Sequence, residues 1–152
     1  MEVNTSSFDA LSDFMPTRKI IKKYYPTCEV IMGTSTAGIA HAAYVSDILG
    51  LPMGYVRASS KDHGRNNQIE GKCEPGTKVV VVEDLISTGK SSIEVVNSLI
   101  EAGVEVIGCV AIFSYGFDEA QNAFDSVNVP YYSFLFKYVI ISFLLYYIHT
   151  LL

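Results

Sequence analysis

The sequence predicts an α/β domain with a mainly parallel sheet flanked by helices, and three observations carry this. Residues 79–82 are four consecutive valines, the pattern of a strand buried on both faces. Short apolar runs alternate along the chain with stretches of helical periodicity, the order that gives right-handed crossovers between parallel strands. Two of the strand-like runs, ending at Met32 and at Asp84, lead into loops of small residues that open a helix.

Taken in order, Phe8, Leu11, Phe14 and Met15 stand at helical spacing behind Ser6 and Ser7, and Pro16 ends that stretch. A second helix is predicted from Thr17 to Pro26, with Ile20, Ile21 and Tyr24 on one side and Arg18, Lys19, Lys22 and Lys23 forming a solvated basic face. Residues 29–32 read as a strand, closed by Gly33-Thr34-Ser35-Thr36-Ala37-Gly38 and followed by a helix from about Ile39 to Leu49, with Gly50 as its stop. Residues 53–57 form the next strand, ending in the cation Arg57. Residues 58–71 lack apolar periodicity and carry Lys61, His63 and Arg65, as expected of a lid that brings donors over an anion. Pro75-Gly76 turns the chain into the valine strand, whose following helix shows Ile93, Val96, Leu99 and Ile100 on one face. A strand at 104–113, a short helix at 118–124 and a last edge at 127–130 complete the domain.

The valine strand ends in Glu83 and Asp84, where a parallel sheet opens into its ligand crevice. Leu85 and Ile86 then lead to Ser87, Thr88, Gly89, Lys90 and Ser91, and the next helix begins. The first N–H groups of a helix have no partner within it, so such a loop holds anions. Carboxylates beside an anion site must face something else, either hydroxyls or a metal ion. A ribose 5-phosphate satisfies both demands, with hydroxyls on the acids and phosphate on the loop. Gly89-Lys90-Ser91 resembles the end of a nucleoside-triphosphatase loop, but Asp84 occupies the position where that loop needs its first glycine, which excludes that reading.

At 152 residues the chain has the length of one domain. It is 49% hydrophobic and 18% charged, with mean hydropathy +0.28, and much of the excess lies in an apolar tail at 131–152 that follows a domain expected over 1–130. A net charge of −5 without a basic cluster beyond Lys23 argues against a nucleic-acid partner. Cys28, Cys73 and Cys109 are odd in number and lack metal-site spacing, which suits a reducing cytoplasm. The first residues, Met1 to Ser7, show no basic region leading into an apolar run, so no secretory leader is expected.

Residues 79–92 resemble the phosphoribosyl pyrophosphate motif of type I phosphoribosyltransferases. Together with Gly33-Thr34-Ser35-Thr36-Ala37-Gly38-Ile39, Leu51-Pro52-Met53, Tyr55-Val56-Arg57, Lys61-Asp62-His63-Gly64 and Asn67-Gln68-Ile69-Glu70-Gly71, they resemble the orotate phosphoribosyltransferase family over about residues 30–133. The resemblance implies transfer of ribose 5-phosphate from phosphoribosyl pyrophosphate to orotate, giving orotidine 5′-phosphate and pyrophosphate with Mg2+ in pyrimidine biosynthesis. It implies that Glu83 and Asp84 hold the ribose hydroxyls and that Leu85, Ile86, Ser87, Thr88, Gly89, Lys90 and Ser91 surround the 5′-phosphate. Ser87 would also lie near orotate. Arg57, Lys61 and His63 would meet the pyrophosphate, with Lys61, His63 and Asp84 in catalytic roles and no metal held by protein ligands alone. It further implies a homodimer whose lid reaches the neighbouring site. The alternative is a binding module that holds phosphoribosyl pyrophosphate without turnover; a cationic lid favours the enzyme.

The sequence departs from that pattern at Ala58 and Ala37, where some members carry lysine, and at Lys90, where glycine is frequent. The family also has a longer N-terminal portion forming a hood over orotate, whereas about 29 residues precede the first strand here. Read as a helix, residues 131–152 would be roughly 33 Å long, enough to cross a bilayer if Lys137 reaches the interface. A tether through that tail is therefore the membrane alternative to a cytoplasmic protein.

Overall fold

The four valines of the central strand are fully buried in the middle of β4 (Lys78–Ile86). Around it the structure, a computed structural model, describes residues 16–57, 68–71, 73–136 and 146. Its elements are α1 (Pro16–Tyr24), β1 (Val30–Thr34), α2 (Ala37–Leu49), β2 (Met53–Val56), β3 (Ile69–Glu70), β4, α3 (Lys90–Glu101), β5 (Glu105–Ser114), α4 (Asp118–Ser126) and β6 (Tyr131–Phe136).

The strands form one six-stranded sheet in the order β3-β2-β1-β4-β5-β6. All neighbours are parallel except β2 and β3, which pair antiparallel through Tyr55 with Glu70 and Val56 with Ile69. From β1 the chain winds outward to β2, then returns to lay β4 on the other side of β1. The strand order therefore reverses between β1 and β4, and a crevice opens at the carboxyl ends of such a pair.

Alternation along the buried strands sends side chains to two separate cores. On one face Val30, Met32, Val79, Val81 and Cys109 meet Val96 and Leu99 of α3 and Phe124 of α4. On the other, Ile31, Val80, Val82 and Val110 meet Ile21 of α1 and Ala42 and Val45 of α2. Each fully buried valine contributes about 1.5–3 kcal/mol relative to exposure, so β4 is the most heavily anchored element. Gly50 ends α2 in the left-handed region at φ 66°, with its N–H on Asp47 O and that of Leu51 on Ser46 O, the paired closure that favours glycine.

Three differences from the sequence reading stand out. The last edge strand is β6 at Tyr131–Phe136, and residues 127–130 are its connector. Those six residues pair with β5 from Cys109 opposite Tyr131 to Ser114 opposite Phe136, so they extend the sheet and do not begin a helix spanning 131–152. The aromatic run fits this strand because Tyr131 packs on the buried Phe124 and Tyr132 stacks on Tyr24 at the surface, giving partners to rings that the sequence assigned to a tail. The second difference is β3, two residues too short to show a period, which adds an antiparallel edge. The third is the later ends of β1, α4 and β4, the last of which runs past Glu83 and Asp84 to Ile86 because Leu85 and Ile86 still pair with Phe113 and Ser114 of β5. The helix expected at 6–15, residues 58–67 of the expected lid, and residues 137–145 and 147–152 of the tail lie outside the described residues. Among the described residues no helix is long and apolar enough to cross a membrane.

Candidate functional site

At the switch point β1 ends in Thr34, and Glu83 and Asp84 lie near the end of β4, which runs on through Leu85 and Ile86 in pairing with β5. Thr34 shares the face of Val30 and Met32, and Glu83 that of Val79 and Val81, so the two side chains point the same way from adjacent strands. They meet: the Thr34 hydroxyl donates to Glu83 Oε1 at 2.6 Å. Ser92, in the first turn of α3, donates to Glu83 Oε2 at 2.9 Å, and the Asp84 backbone N–H donates to Oε1 at 3.1 Å. Glu83, Thr34 and Ser92 are 5%, 3% and 1% exposed, whereas Asp84 is half-buried. One acid is thus turned inward onto three donors, and the other is half-buried with its side chain hydrogen-bonded to the first.

The first small-residue loop presses closely on this cluster. A Cβ on Gly38 would collide with the Thr34 hydroxyl and lie 2.7 Å from the Val82 carbonyl oxygen, so only glycine lets α2 begin where it does. Ser35 is held by its N–H and hydroxyl, both donating to Val56 O of β2 at 3.2 and 2.9 Å. The peptide bond between Ser35 and Thr36 is cis.

After Asp84 the chain lines a cavity of about 290 Å3 with Leu85, Ile86, Ser87, Thr88, Gly89, Lys90, Ser91, Ser92 and Glu94. Gly89 precedes α3 at φ 80°, a conformation strained for any other residue. Behind it lie Ala120 and Phe124 of α4, which back the loop from the core side. The amides at the start of α3 therefore have a rigid support, and the helix dipole adds partial positive charge there. Ile86 is buried in the core and offers the cavity mainly backbone, whereas Leu85, Thr88, Lys90 and Ser91 are exposed.

Arg57 follows β2 and is half-exposed, with Nη2 3.3 Å from Glu70 Oε1 of β3. Its N–H donates to Gln68 O at 2.8 Å, and the Ser98 hydroxyl of α3 donates to Gln68 Oε1 at 3.4 Å. The segment on the far side of residues 58–67 is therefore fastened to both β2 and α3. Lys61 and His63 fall outside the described residues.

Burial pushes the Glu83 carboxyl up to about 7, reinforced by hydrogen bonding to the Asp84 side chain and opposed by Thr34, Ser92 and the Asp84 N–H. Burial likewise raises the Cys109 thiol of β5, with the Glu83 charge adding to it. Among the described residues no group of three or more His, Cys, Asp or Glu could hold a metal ion.

The structure thus gathers Glu83, Asp84 and the 85–91 loop at one crevice and places Arg57 at the end of a neighbouring strand. Thr34 and Ser92 were legible only as members of small-residue loops. The Thr34 contact with Glu83 depends on register between β1 and β4, and that of Ser92 on how the loop after β4 folds back, neither of which strand parity alone gives.

A switch-point crevice, two adjacent acids near the end of the central strand and a small-residue loop that opens a helix mark the candidate site of this α/β domain. The chain belongs to the phosphoribosyl transferase domain family, whose model matches residues 14–147. It is 58% identical over 113 residues to an orotate phosphoribosyltransferase of Fusobacterium nucleatum, covering 74% of this chain and 54% of that protein. It is 58% identical over 115 residues to one of Bacillus cereus, covering 76% and 55%. The chain thus spans about half the length of these curated relatives. Among solved structures, orotate phosphoribosyltransferase from Aeropyrum pernix superposes with TM-score 0.79 at 26% identity, covering 94% of this chain and 78% of that one. The mainly parallel, helix-flanked sheet is the type I phosphoribosyltransferase fold.

Proposed function

We propose that this chain acts as an orotate phosphoribosyltransferase, forming orotidine 5′-phosphate and pyrophosphate from orotate and phosphoribosyl pyrophosphate. The observation that carries the reading is the cavity over residues 85–92, which starts directly after Asp84 and ends on the first turn of α3. It offers backbone donors for a phosphate, and the carboxylates of Glu83 and Asp84, suited to hydroxyls, immediately precede it in the chain. The names of the relatives that match at 58% identity support orotate as the acceptor.

In this reading the 5′-phosphate sits on the N–H groups of Ser87, Thr88, Gly89, Lys90 and Ser91, flanked by Leu85 and Ile86. Glu83 and Asp84 accept from the ribose hydroxyls, and Ser87 lies beside orotate. The bond from C1′ to the pyrophosphate oxygen breaks as N1 of orotate bonds to C1′; the departing electron pair goes to pyrophosphate, and the proton given up by N1 passes to water or to the departing pyrophosphate. Arg57, Lys61 and His63 stabilise that growing charge, and the Asp84 carboxylate faces the cation-like ribose. Arg57 is half-exposed at the end of a strand beside β1, paired with Glu70.

Mg2+ belongs to the same reading. Asp84, half-buried and next to the anion loop, suits a hard cation held otherwise by ligand oxygens and water. The ion would neutralise pyrophosphate charge. The chain is further read as a cytoplasmic homodimer, consistent with free thiols at Cys28, Cys73 and Cys109.

Calorimetric titration with phosphoribosyl pyrophosphate and Mg2+ tests the ligand assignment, using wild type and Asp84→Asn. Saturable binding that weakens at least tenfold in the variant is expected. No binding by a folded wild-type chain, or equal binding by both, would overturn it.

A further inference from the structure

We propose that Tyr115 and Phe117, an exposed aromatic ledge where β5 leaves the sheet, form the wall on which the planar acceptor base packs. They serve the base and not the sugar phosphate. The inference deepens the orotate phosphoribosyltransferase reading and rests on it for the identity of the base.

Backbone contacts hold the ledge in place. Phe113, the last residue but one of β5, pairs with Leu85 of β4, and Ser114 pairs with Ile86. Tyr115 continues beyond the strand end with its N–H donating to Ile86 O at 3.1 Å, and the Gly116 N–H donates to the buried Ser114 hydroxyl at 3.0 Å. Gly116, at φ 65°, then turns the chain so that Phe117 can precede α4. The rings brace one another: Phe113 meets Tyr115 edge to face at 5.1 Å, and Tyr115 and Phe117 stack at 5.4 Å with their planes 9° apart. Leu85, Tyr115 and Phe117 are nevertheless exposed. Rings that are fixed and still open to water offer a planar ligand a preformed apolar face at little ordering cost.

Position decides which part of the ligand meets this face. Leu85 and Ile86, the residues to which the ledge is tied, also line the phosphate cavity. Adjacent strands lie about 4.8 Å apart, so a base joined through ribose to a phosphate on residues 87–91 is within reach of the rings. In the sheet order, Arg57 follows β2 on one side of β4, and the ledge follows β5 on the other. In-line displacement at C1′ needs the incoming nitrogen opposite the departing oxygen. With pyrophosphate on the Arg57 side, the acceptor enters from the β5 side, where the rings stand. Ser87, read as lying beside orotate, directly follows Ile86.

Calorimetry tests this on the chain saturated with ribose 5-phosphate, which has no pyrophosphate to lose, so that orotate binds without turnover. Tyr115→Leu and Phe117→Leu should each raise the orotate Kd about threefold to thirtyfold, while Tyr115→Phe, which keeps the ring, should stay within about twofold of wild type. The Kd for phosphoribosyl pyrophosphate should be unchanged in all three variants. Parallel loss of phosphoribosyl pyrophosphate and orotate binding would show a structural role and overturn the proposal. Unchanged orotate Kd in both leucine variants would overturn it alone and leave the orotate reading standing; a change in their oligomeric state by sedimentation would then assign the ledge to a second copy of this chain. A wild-type chain that binds phosphoribosyl pyrophosphate but no orotate would overturn the orotate reading and the ledge together.

Discussion

Replacing Glu83 by Gln should change how the stability of this domain depends on pH. In the folded chain the carboxyl is held at about 7, mainly by burial, against an ordinary 4.5. The unfolded chain gives up its proton near the ordinary value, while the folded chain keeps it. Between these values the native state binds more protons than the unfolded state, so stability falls as pH rises, and the loss is complete above about pH 7. A displacement of this size corresponds to at most about 3 kcal/mol, since each pKa unit is worth 1.36 kcal/mol. Glutamine keeps the shape of the neutral acid, and the Ser92 hydroxyl can turn to accept from its amide. It carries no charge to bury. Urea denaturation at pH 5, 6, 7 and 8 should show the variant gaining on wild type by up to about 3 kcal/mol across the series. A difference between the two that stays constant from pH 5 to 8 would refute the buried-carboxylate account.

Phe124→Ala should destabilise the domain by about 3–5 kcal/mol in chemical denaturation, because the ring is fully buried between α3, Gly89 and Tyr131. A loss below 1 kcal/mol would show that α4 does not support the loop. Gly38→Ala should lower the melting temperature by several degrees, since its Cβ meets the Thr34 hydroxyl and the Val82 carbonyl. Adding Thr34→Ala should restore part of that loss, and strictly additive losses would contradict the close approach.

The elements that sequence revealed best are those in which one face or both must be buried. Residues 79–82 could only be an interior strand, and Gly50 could only close α2, because burial and left-handed geometry leave few alternatives. The strand that carries the two acids and the loop after it were legible for the same reason, as a strand, a small-residue turn and a helix in succession, although the strand runs two residues beyond the acids. Long-range pairing was not. Whether Tyr131–Phe136 joins the sheet depends on β5 offering a free edge and on Phe124 and Tyr24 offering ring faces, neither of which is local. An aromatic run that is half-buried as a strand looks like a greasy tail when its partners are unknown. Likewise, Glu83 and Asp84 read as equivalent acids, and only the approach of Thr34 and Ser92 distinguishes the inward one from the outward one. The β3 edge, two residues long, owes its existence to backbone pairing with Tyr55 and Val56, with no side-chain period to announce it.

The central claim is that this crevice joins orotate to a ribose 5-phosphate. Its most direct test is to incubate the purified chain with orotate, phosphoribosyl pyrophosphate and Mg2+ and to separate the products chromatographically. The account predicts orotidine 5′-phosphate and pyrophosphate in equal amounts, with formation reduced on the order of 100-fold in Asp84→Asn. A folded chain that binds phosphoribosyl pyrophosphate and leaves orotate unconsumed would contradict it.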